Sequence, residues 1–356
     1  MARKRVAVAI SGGVDSSVAA LLLKESGYEV IGLHMRLWND KKDKSGAQCD
    51  PSKLKVSFDR AEQVCNKLDI LFHVIDLENE FKTHVIDYFC NEYAQGRTPN
   101  PCIACNKYIK FGLLLNRALS LGADYLATGH YAKVECCGGI YHLLKGKDST
   151  KDQSYLLYTL DQTQLSRVIF PLGIYLKSEV RKLARQNCLP AAEEPGSQDI
   201  CFVDGEYTDF LAQNIDVTEG EIVDKRGEIL GRHKGVPLYT VGQRHGLGFY
   251  DGQRMYVINI EPERNRIVLG TEEELYSEKL VAKKINWVSG KAPSNPMDVA
   301  VKIRYKSPEV LATLYPDLSS AKVQLHQPQR AITPGQSVVF YQNDEVIGGG
   351  IIEKQE

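Results

Sequence analysis

The residues Arg5-Val6-Ala7-Val8-Ala9-Ile10 run directly into Ser11-Gly12-Gly13-Val14-Asp15-Ser16 near the start of the chain. The first stretch is a short apolar run of the kind that forms a buried strand. In the second, two glycines allow a tight bend that points successive backbone N–H groups into one concavity. A helix beginning at Ser16 would add the positive end of its dipole. This strand–loop–helix unit therefore predicts a phosphate-binding site.

Side chains of the same loop are suited to a nucleotide. The Ser11 and Ser16 hydroxyls can donate hydrogen bonds to phosphate oxygens, and the Asp15 carboxylate is a ligand type that Mg²⁺ prefers. No lysine follows the glycines, so the G-x-x-x-x-G-K-[ST] pattern is absent, as is the G-x-G-x-x-G dinucleotide pattern. A plain strand–helix turn is the competing interpretation.

Outward from this loop, strand and helix patterns alternate as far as residue 128. Apolar runs predict further strands at 29–35, 71–76 and 124–128, with helical periodicity between them. This alternation is typical of a parallel sheet with helices on both faces, a Rossmann-like α/β domain. We assign it residues 1–215, with the part after residue 150 mainly helical. The polar stretch 38–52 is predicted to be a loop.

The pattern changes near residue 216 to short alternating strands separated by turns. Such strands are typical of small β domains and barrels. We therefore predict a small β-rich central domain over 216–278 and a C-terminal β-barrel over 279–356.

Charge is unevenly distributed, although the formal net charge is −1. Between Lys279 and Lys306 there are seven basic residues and one acidic residue, and a second basic cluster lies between Lys225 and Arg244. Such clusters form either phosphate-binding faces or ordinary solvated surfaces, and charge alone does not decide between them. No apolar run approaches the ~20 residues of a membrane span, and the first apolar run is too short for a signal peptide. We expect a cytoplasmic protein.

Two of the nine cysteines lie where a role in packing alone is not expected. An odd number of irregularly spaced cysteines without a secretory signal indicates reduced thiols. Cys105 follows the proline-stiffened stretch 96–101 and should lie near the N-terminus of the next helix, where a thiol pKa is lowered. Cys201 lies in the glycine-containing stretch 196–202, GSQDICF. Both thiols are predicted to be reactive.

The SGGVDS loop after a first strand resembles the hallmark of the PP-loop ATP pyrophosphatases. That resemblance implies a loop that holds the β,γ-pyrophosphate of ATP and leaves the α-phosphate open to attack. From the first strand to 348–350, the chain further resembles the MnmA family of bacterial tRNA-specific 2-thiouridylases. The matching stretches are 96–107 (GRTPNPCIACNK), 127–131 (ATGHY), 151–155 (KDQSY), 197–202 (SQDICF) and 333–336 (TPGQ).

This resemblance implies an ATP- and Mg²⁺-dependent enzyme that adenylates the C2 oxygen of the wobble uridine in the tRNA anticodon stem-loop. Sulfur from a cysteine persulfide then replaces that oxygen, with release of AMP and pyrophosphate. The sulfur donor would be a cysteine desulfurase or a sulfur-relay protein.

The same resemblance assigns roles to individual residues. Cys105 matches the nucleophile, and Cys201 matches the cysteine that carries the persulfide. The ATP contacts fall on Ala9, Ile10, Ser11, Gly12, Gly13, Val14, Asp15, Ser16, Met35 and Gly129. The segment that meets the target base falls on Asn100, Pro101 and Cys102, and the tRNA contacts on His130, Lys151, Asp152, Gln153, Arg304, Tyr305 and Gln336.

Cys102 departs from the family pattern, because some members have Asp at this position. The resulting Cys-x-x-Cys leaves open which thiol attacks. It also permits a second mechanism, in which Cys102, Cys105 and Cys201 ligate a [4Fe-4S] cluster with one open iron. The motifs are also compatible with a PP-loop ligase acting on a small molecule, and with a non-catalytic RNA-binding protein or sulfur carrier. Without the resemblance, His130 and Arg304 would pass for ordinary loop and strand residues.

Overall fold

A computed structural model of the protein describes residues 3–38, 51–190, 192, 200–247 and 254–353. Most of the predicted loop 38–52 and the 196–199 part of the Cys201 stretch lie outside the described residues. None of the helices in the described part of the chain has the length and apolar character that crossing a membrane requires.

The part of the chain that the structure describes contains seventeen strands. They are β1 (Arg5–Ala9), β2 (Glu29–Arg36), β3 (Leu71–Asp76), β4 (Tyr125–Ala127), β5 (Ala132–Cys137), β6 (Ile140–Lys145), β7 (Val168–Ile169), β8 (Gly220–Val223), β9 (Ile229–His233), β10 (Tyr256–Glu261), β11 (Arg266–Gly270), β12 (Tyr276–Trp287), β13 (Met297–Lys302), β14 (Val310–Pro316), β15 (Ser320–Arg330), β16 (Ser337–Gln342) and β17 (Glu345–Ile352).

The helices are concentrated in the first 214 residues. They are Val14–Glu25, Pro51–Lys67, Gln162–Leu165, Lys177–Gln186 and Tyr207–Asn214, with two longer helices over 78–94 and 101–120 whose middle parts, Lys82–Asp87 and Cys105–Leu114, are π-helical. Short 3₁₀ turns lie at Ser154–Leu157, Pro171–Ile174, Val236–Leu238, Pro262–Arg264 and Glu273–Leu275.

The N-terminal sheet has the strand order β3-β2-β1-β4-β7, and its described pairings are all parallel. The predicted parallel α/β sheet is therefore confirmed. Strand β7 was not predicted, and it extends the sheet by pairing Val168 with Leu126. Because parallel strands end at the same edge of a sheet, the loop after β1 lies beside the segment that follows β4.

Successive residues of β1 pack on opposite faces of this sheet. Val6 and Val8 join the core that contains the helix Val14–Glu25, whereas Ala7 joins the core of the 78–94 and 101–120 helices. A strand buried on both faces is apolar throughout, which is the pattern that its sequence has. The loop after β1 therefore starts from a fully buried strand.

The C-terminal strands close into a six-stranded antiparallel barrel in the order β12-β15-β14-β13-β16-β17, with β17 paired back to β12. The predicted barrel is confirmed, although β12 begins at Tyr276, ahead of residue 279. Strands β8 to β11 form the smaller central sheet. The hairpin β5–β6, which was not predicted, pairs with the start of β17 through Leu144 and Glu345. The barrel is thereby attached to the domain that carries the phosphate loop.

Candidate active site

The loop after β1 is held in shape by its own serines. The Ser16 hydroxyl donates to the Gly13 carbonyl at 3.0 Å and accepts from the Ser11 N–H at 3.2 Å. The helix begins at Val14, earlier than the predicted Ser16, so its first N–H groups lie within the loop itself. Unpaired N–H groups at a helix start, together with the bend, form a site that can bind a phosphate group.

Glycine is required at two positions around this loop. Gly12 has a φ of +77°, and a Cβ there would lie 2.4 Å from the carbonyl oxygen of Ser57. A Cβ on Gly129, just after β4, would lie 2.8 Å from the carbonyl carbon of Asp15 and 2.9 Å from the Ser16 nitrogen. The two loops are in backbone contact, and this contact forms one wall of a narrow cleft.

We expect Gly12→Ala to lower the free energy of unfolding by about 1–3 kcal/mol, because a side chain is strained at this φ and meets the Ser57 carbonyl. Gly13→Ala is the matched control. Its φ is −85°, and the nearest neighbour of the new Cβ is the Ser11 hydroxyl at 3.4 Å. Thermal unfolding of both variants beside wild type measures the difference. Equal stability of the two variants would contradict this loop conformation.

Asp15 is bound by two residues that were not predicted from the sequence. The Lys177 ammonium donates to both carboxylate oxygens, at 2.6 and 2.7 Å, and the Tyr131 hydroxyl donates to Oδ1 at 2.7 Å. Arg181 lies one turn after Lys177 on the same helix, and its Nε is buried with no hydrogen-bond partner among the described residues. Two cations therefore stand beside the loop. Their sequence signal is weak: two basic residues spaced four apart on a distant helix.

A cavity of about 1160 Å³ joins the loop to the barrel. Its walls are the loop after β1, the segment after β4, the stretch 149–153 and the barrel segment 302–309. Cationic side chains outnumber carboxylates in its lining: Lys110, Lys151, Lys177, Arg181, Lys302 and Lys306 against Asp15, Asp152 and Glu309. A large positive cavity of this kind suits a polyanionic ligand.

Many of the predicted site residues meet in this cavity. Those in its lining are Ala9, Ser11, Gly13, Val14, Asp15, Ser16, Met35, Gly129, His130, Lys151, Asp152, Gln153 and Tyr305. The Ile10 side chain is in the core instead, and Gly12 lies behind the loop against Ser57. The remaining predicted residues, all of them described, lie outside the lining: Asn100, Pro101, Cys102, Cys105, Cys201, Arg304 and Gln336.

Two of the predicted tRNA contacts accept hydrogen bonds from other groups of the protein. The Asp152 carboxylate accepts from the Ser154 hydroxyl at 2.8 Å and from its N–H at 3.2 Å. The Gln153 side chain accepts from the Tyr131 N–H at 3.0 Å. Lys151, by contrast, is a charged residue of this loop that lines the cavity.

His130 is buried between aromatic rings. Its ring centroid lies 5.7 Å from that of Phe111 and 5.8 Å from that of Phe170, and its Nδ1 is 2.7 Å from the Thr128 hydroxyl. Burial holds the pKa of His130 well below its usual value. The ring is therefore neutral at pH 7 and offers a hydrogen-bonding group to a ligand rather than a charge.

Cys105 lies one turn inside the 101–120 helix. Asn100 caps this helix by accepting from the Cys102 N–H at 3.1 Å, so Cys102 occupies the first turn and is exposed, whereas Cys105 is 9% exposed. Burial raises the pKa of Cys105, against a smaller lowering by the Lys110 cation. The prediction of a lowered pKa is therefore wrong, because the loss of hydration outweighs the helix dipole at this depth. The accessible thiol of the pair is Cys102.

Cys201 is exposed next to an anchored aromatic side chain. The ring of Phe202 lies 5.9 Å from that of Phe81 and 5.4 Å from that of Phe89, in the core cluster that also contains Cys105. Phe202 thereby attaches the residue that follows Cys201 to the same helices. Over the described residues, no group of three or more His, Cys, Asp or Glu side chains could hold a metal ion, so the three cysteines of the cluster mechanism are not arranged as a ligand set.

Gln336 and Arg304, both predicted tRNA contacts, have side chains that bind other parts of the protein. Gln336 Nε2 donates to the Thr98 carbonyl at 2.8 Å, and the Thr98 N–H donates to the Pro334 carbonyl at 2.9 Å. These bonds tie the barrel to the segment that precedes the predicted base contacts. The Arg304 guanidinium donates to the Ala331 carbonyl, and burial lowers its pKa. Contact of either residue with tRNA stays a prediction.

Family models match nearly the whole chain. The tRNA methyl transferase HUP domain matches residues 4–205, the tRNA methyl transferase PRC-barrel domain residues 208–271, and the aminomethyltransferase beta-barrel domain residues 277–352. These ranges contain, in turn, the parallel sheet, the central sheet and the closed barrel.

Curated relatives match over the full length. The tRNA-specific 2-thiouridylase MnmA 2 of Clostridium botulinum (strain Okra / Type B1) is 48% identical over 359 residues, which cover 99% of this chain and 100% of that protein. The tRNA-specific 2-thiouridylase MnmA of Clostridium perfringens (strain 13 / Type A) is 47% identical, with 99% of each chain covered. Among solved structures, NMN synthetase from Francisella tularensis is 16% identical over 55% of this chain and 67% of that chain, with a TM-score of 0.34. The chain belongs to the MnmA family of tRNA-specific 2-thiouridylases.

Proposed function

We propose that the protein uses ATP and a cysteine persulfide to place sulfur at C2 of the wobble uridine of tRNA. The observation that carries the proposal is the positive cavity in which a phosphate loop and the rim of the barrel meet beside the Cys105 helix. Family membership supports tRNA as the substrate. The match of Cys105 and Cys201 to the family's reactive cysteines supports the sulfur chemistry.

ATP would bind with its β- and γ-phosphates against the N–H groups of the loop after β1. Lys177 and Arg181 add positive charge on the same side. Magnesium, when bound, would neutralise charge on the phosphates. The Asp15 carboxylate is a fitting ligand for it, and Lys177, which now donates to both Asp15 oxygens, would then turn to the phosphates. The α-phosphate would face the remainder of the cavity.

The C2 carbonyl of uridine is a poor electrophile, and adenylation turns its oxygen into a leaving group. The oxygen attacks the α-phosphorus and pyrophosphate leaves. The terminal sulfur of a Cys201 persulfide then attacks C2, and AMP departs with the former carbonyl oxygen. Attack by Cys105 on Sγ of Cys201 frees the sulfur and leaves a Cys105–Cys201 disulfide for reduction. Alternatively, Cys105 attacks first and releases sulfide, which then attacks C2. The base must leave the anticodon stack to react.

A reconstituted reaction tests the proposal. Protein, unmodified tRNA and ATP, with a cysteine desulfurase and cysteine in a reducing buffer like the cytoplasm, are expected to yield 2-thiouridine at the wobble position. One AMP should form for each thiolated base, measured by nucleoside mass spectrometry and nucleotide chromatography. AMP formation without tRNA would indicate a small-molecule ligase. No AMP formation under any condition would indicate an RNA-binding protein or sulfur carrier, and either result contradicts the proposal.

A further inference from the structure

Lys110 has no role in the reaction proposed for the protein. It is half-buried, lines the cavity, and forms no ion pair within the described part of the chain. It stands five residues after Cys105 in the π-helical segment Cys105–Leu114. In a π-helix the N–H of residue i+5 bonds to the carbonyl of residue i, so the two residues lie one turn apart on a similar side of the helix.

The backbone at Lys110 is next to a residue that packs in the core. The ring of Phe111, the next residue, packs at 5.7 Å from the His130 ring and 5.8 Å from that of Phe170. The Lys110 charge lowers the pKa values of both Cys105 and His130, in each case as a smaller effect than burial. Its ammonium group therefore lies within electrostatic reach of the thiol on one side and of the segment after β4 on the other.

The two chemical steps place negative charge at different ends of the cavity. In adenylation, charge builds on pyrophosphate, which would lie against the loop after β1 with Lys177 and Arg181. In sulfur transfer, charge builds on the oxygen that joins C2 to the α-phosphorus. In the proposed reaction the sulfur is delivered by Cys201 and Cys105, so that bond would face the side of the Cys105 helix. Lys110 is the lining cation on that helix, whereas Lys151 and Lys302 belong to the loop and barrel walls.

We propose that Lys110 is a further catalytic residue, which donates a hydrogen bond from its ammonium group to the adenylate phosphate and stabilises AMP as the leaving group. In this step the sulfur–C2 bond forms and the C2–oxygen bond breaks. The electron pair of the broken bond leaves on the phosphate oxygen of AMP, next to the ammonium charge. A preorganised charged donor at such an oxygen accelerates a step by about 10²–10³-fold. The inference rests on the proposed function, because it assigns a residue to its second step.

The test compares Lys110→Met and Lys110→Arg with wild type in a single turnover with [α-³²P]ATP, tRNA and the sulfur donor. We expect Lys110→Met to form 2-thiouridine about 100-fold more slowly and to accumulate radiolabelled, adenylated tRNA. Lys110→Arg should recover most of the rate, because it retains a cationic donor. Lys107→Met is the matched control: Lys107 lies on the same helix, is exposed outside the described cavity lining, and has its Nζ 5.1 Å from the Tyr108 ring centroid.

The possible results separate this inference from the proposed function. Thiolation by Lys110→Met at the wild-type rate, with no labelled tRNA, would overturn the role of Lys110 alone. Loss of adenylation in Lys110→Met would also overturn it, since Lys110 would then act on the first step or on the fold. If wild-type protein forms neither adenylated tRNA nor 2-thiouridine, the proposed function fails and the inference fails with it.

Discussion

Replacing Cys105 or Cys201 with serine is expected to lower tRNA thiolation by about 10³-fold or more, whereas Cys102→Ser should stay within about tenfold of wild type. A serine hydroxyl neither carries a persulfide nor attacks one at neutral pH. Adenylation uses the loop after β1 and not the thiols, so the two inactive variants should still form adenylated tRNA. That product serves as the internal control for folding and for ATP binding.

The same three variants test the cluster mechanism. If Cys102, Cys105 and Cys201 held an iron–sulfur cluster, removing any one of them would destroy cluster and activity together. Cys102 is also the exposed thiol at the start of the helix, while Cys105 is buried. The measurement is the activity of Cys102→Ser beside the visible absorption and iron content of anaerobically purified wild type. An inactive Cys102→Ser together with a brown, iron-containing wild type would replace the persulfide scheme.

The parts of the fold that the sequence predicted are those that local patterns determine. The apolar run of β1 is buried on both faces, and Gly12 has the positive φ that only glycine adopts without strain. The hairpin β5–β6 was missed although the sequence contains its signal: the two-residue turn Gly138-Gly139 has positive φ at both positions, and Gly-Gly is a sequence that favours hairpins. In strand β14, Leu311 and Tyr315 are exposed while Ala312 and Leu314 are buried, so its apolar residues lie on both faces and alternation alone does not define it.

The candidate site was predictable in its residue types and less so in their contacts. The partners of Asp15 lie far along the chain, at Tyr131 and Lys177, and only the packing of a helix against the sheet edge brings them together. Gln336 was identified from a motif, but its amide binds Thr98. The residue type at each position is known from the sequence, whereas the direction in which the side chain points depends on the surrounding structure. The raised pKa of Cys105 could not be predicted for the same reason, because the burial of a thiol depends on tertiary packing.

Asp15→Asn is expected to lower adenylation of tRNA by about 10²–10³-fold with a small change in stability. The amide oxygen can still accept a hydrogen bond from the Tyr131 hydroxyl. The negative charge that pairs with Lys177 and would bind magnesium is lost. Asp15→Ala is a poorer test, because it would leave the buried Tyr131 hydroxyl without its acceptor, at a cost of about 1–3 kcal/mol. The measurement is transfer of label from [α-³²P]ATP to tRNA, with thermal unfolding recorded beside it.

Tyr131→Phe is the matched control for this prediction, since it removes the hydroxyl and keeps the Asp15–Lys177 pair. Loss of the hydroxyl should lower the free energy of unfolding by about 1.5–3 kcal/mol. The Asp15 charge and its Lys177 partner remain, so the control should adenylate tRNA at close to the wild-type rate. If Asp15→Asn were as active as wild type, the carboxylate would have no part in phosphate or magnesium binding. Equal loss in both variants would assign the effect to the shape of the Asp15–Tyr131 contact instead of to the charge. Only a defect specific to Asp15→Asn agrees with a carboxylate that acts on the phosphates of ATP.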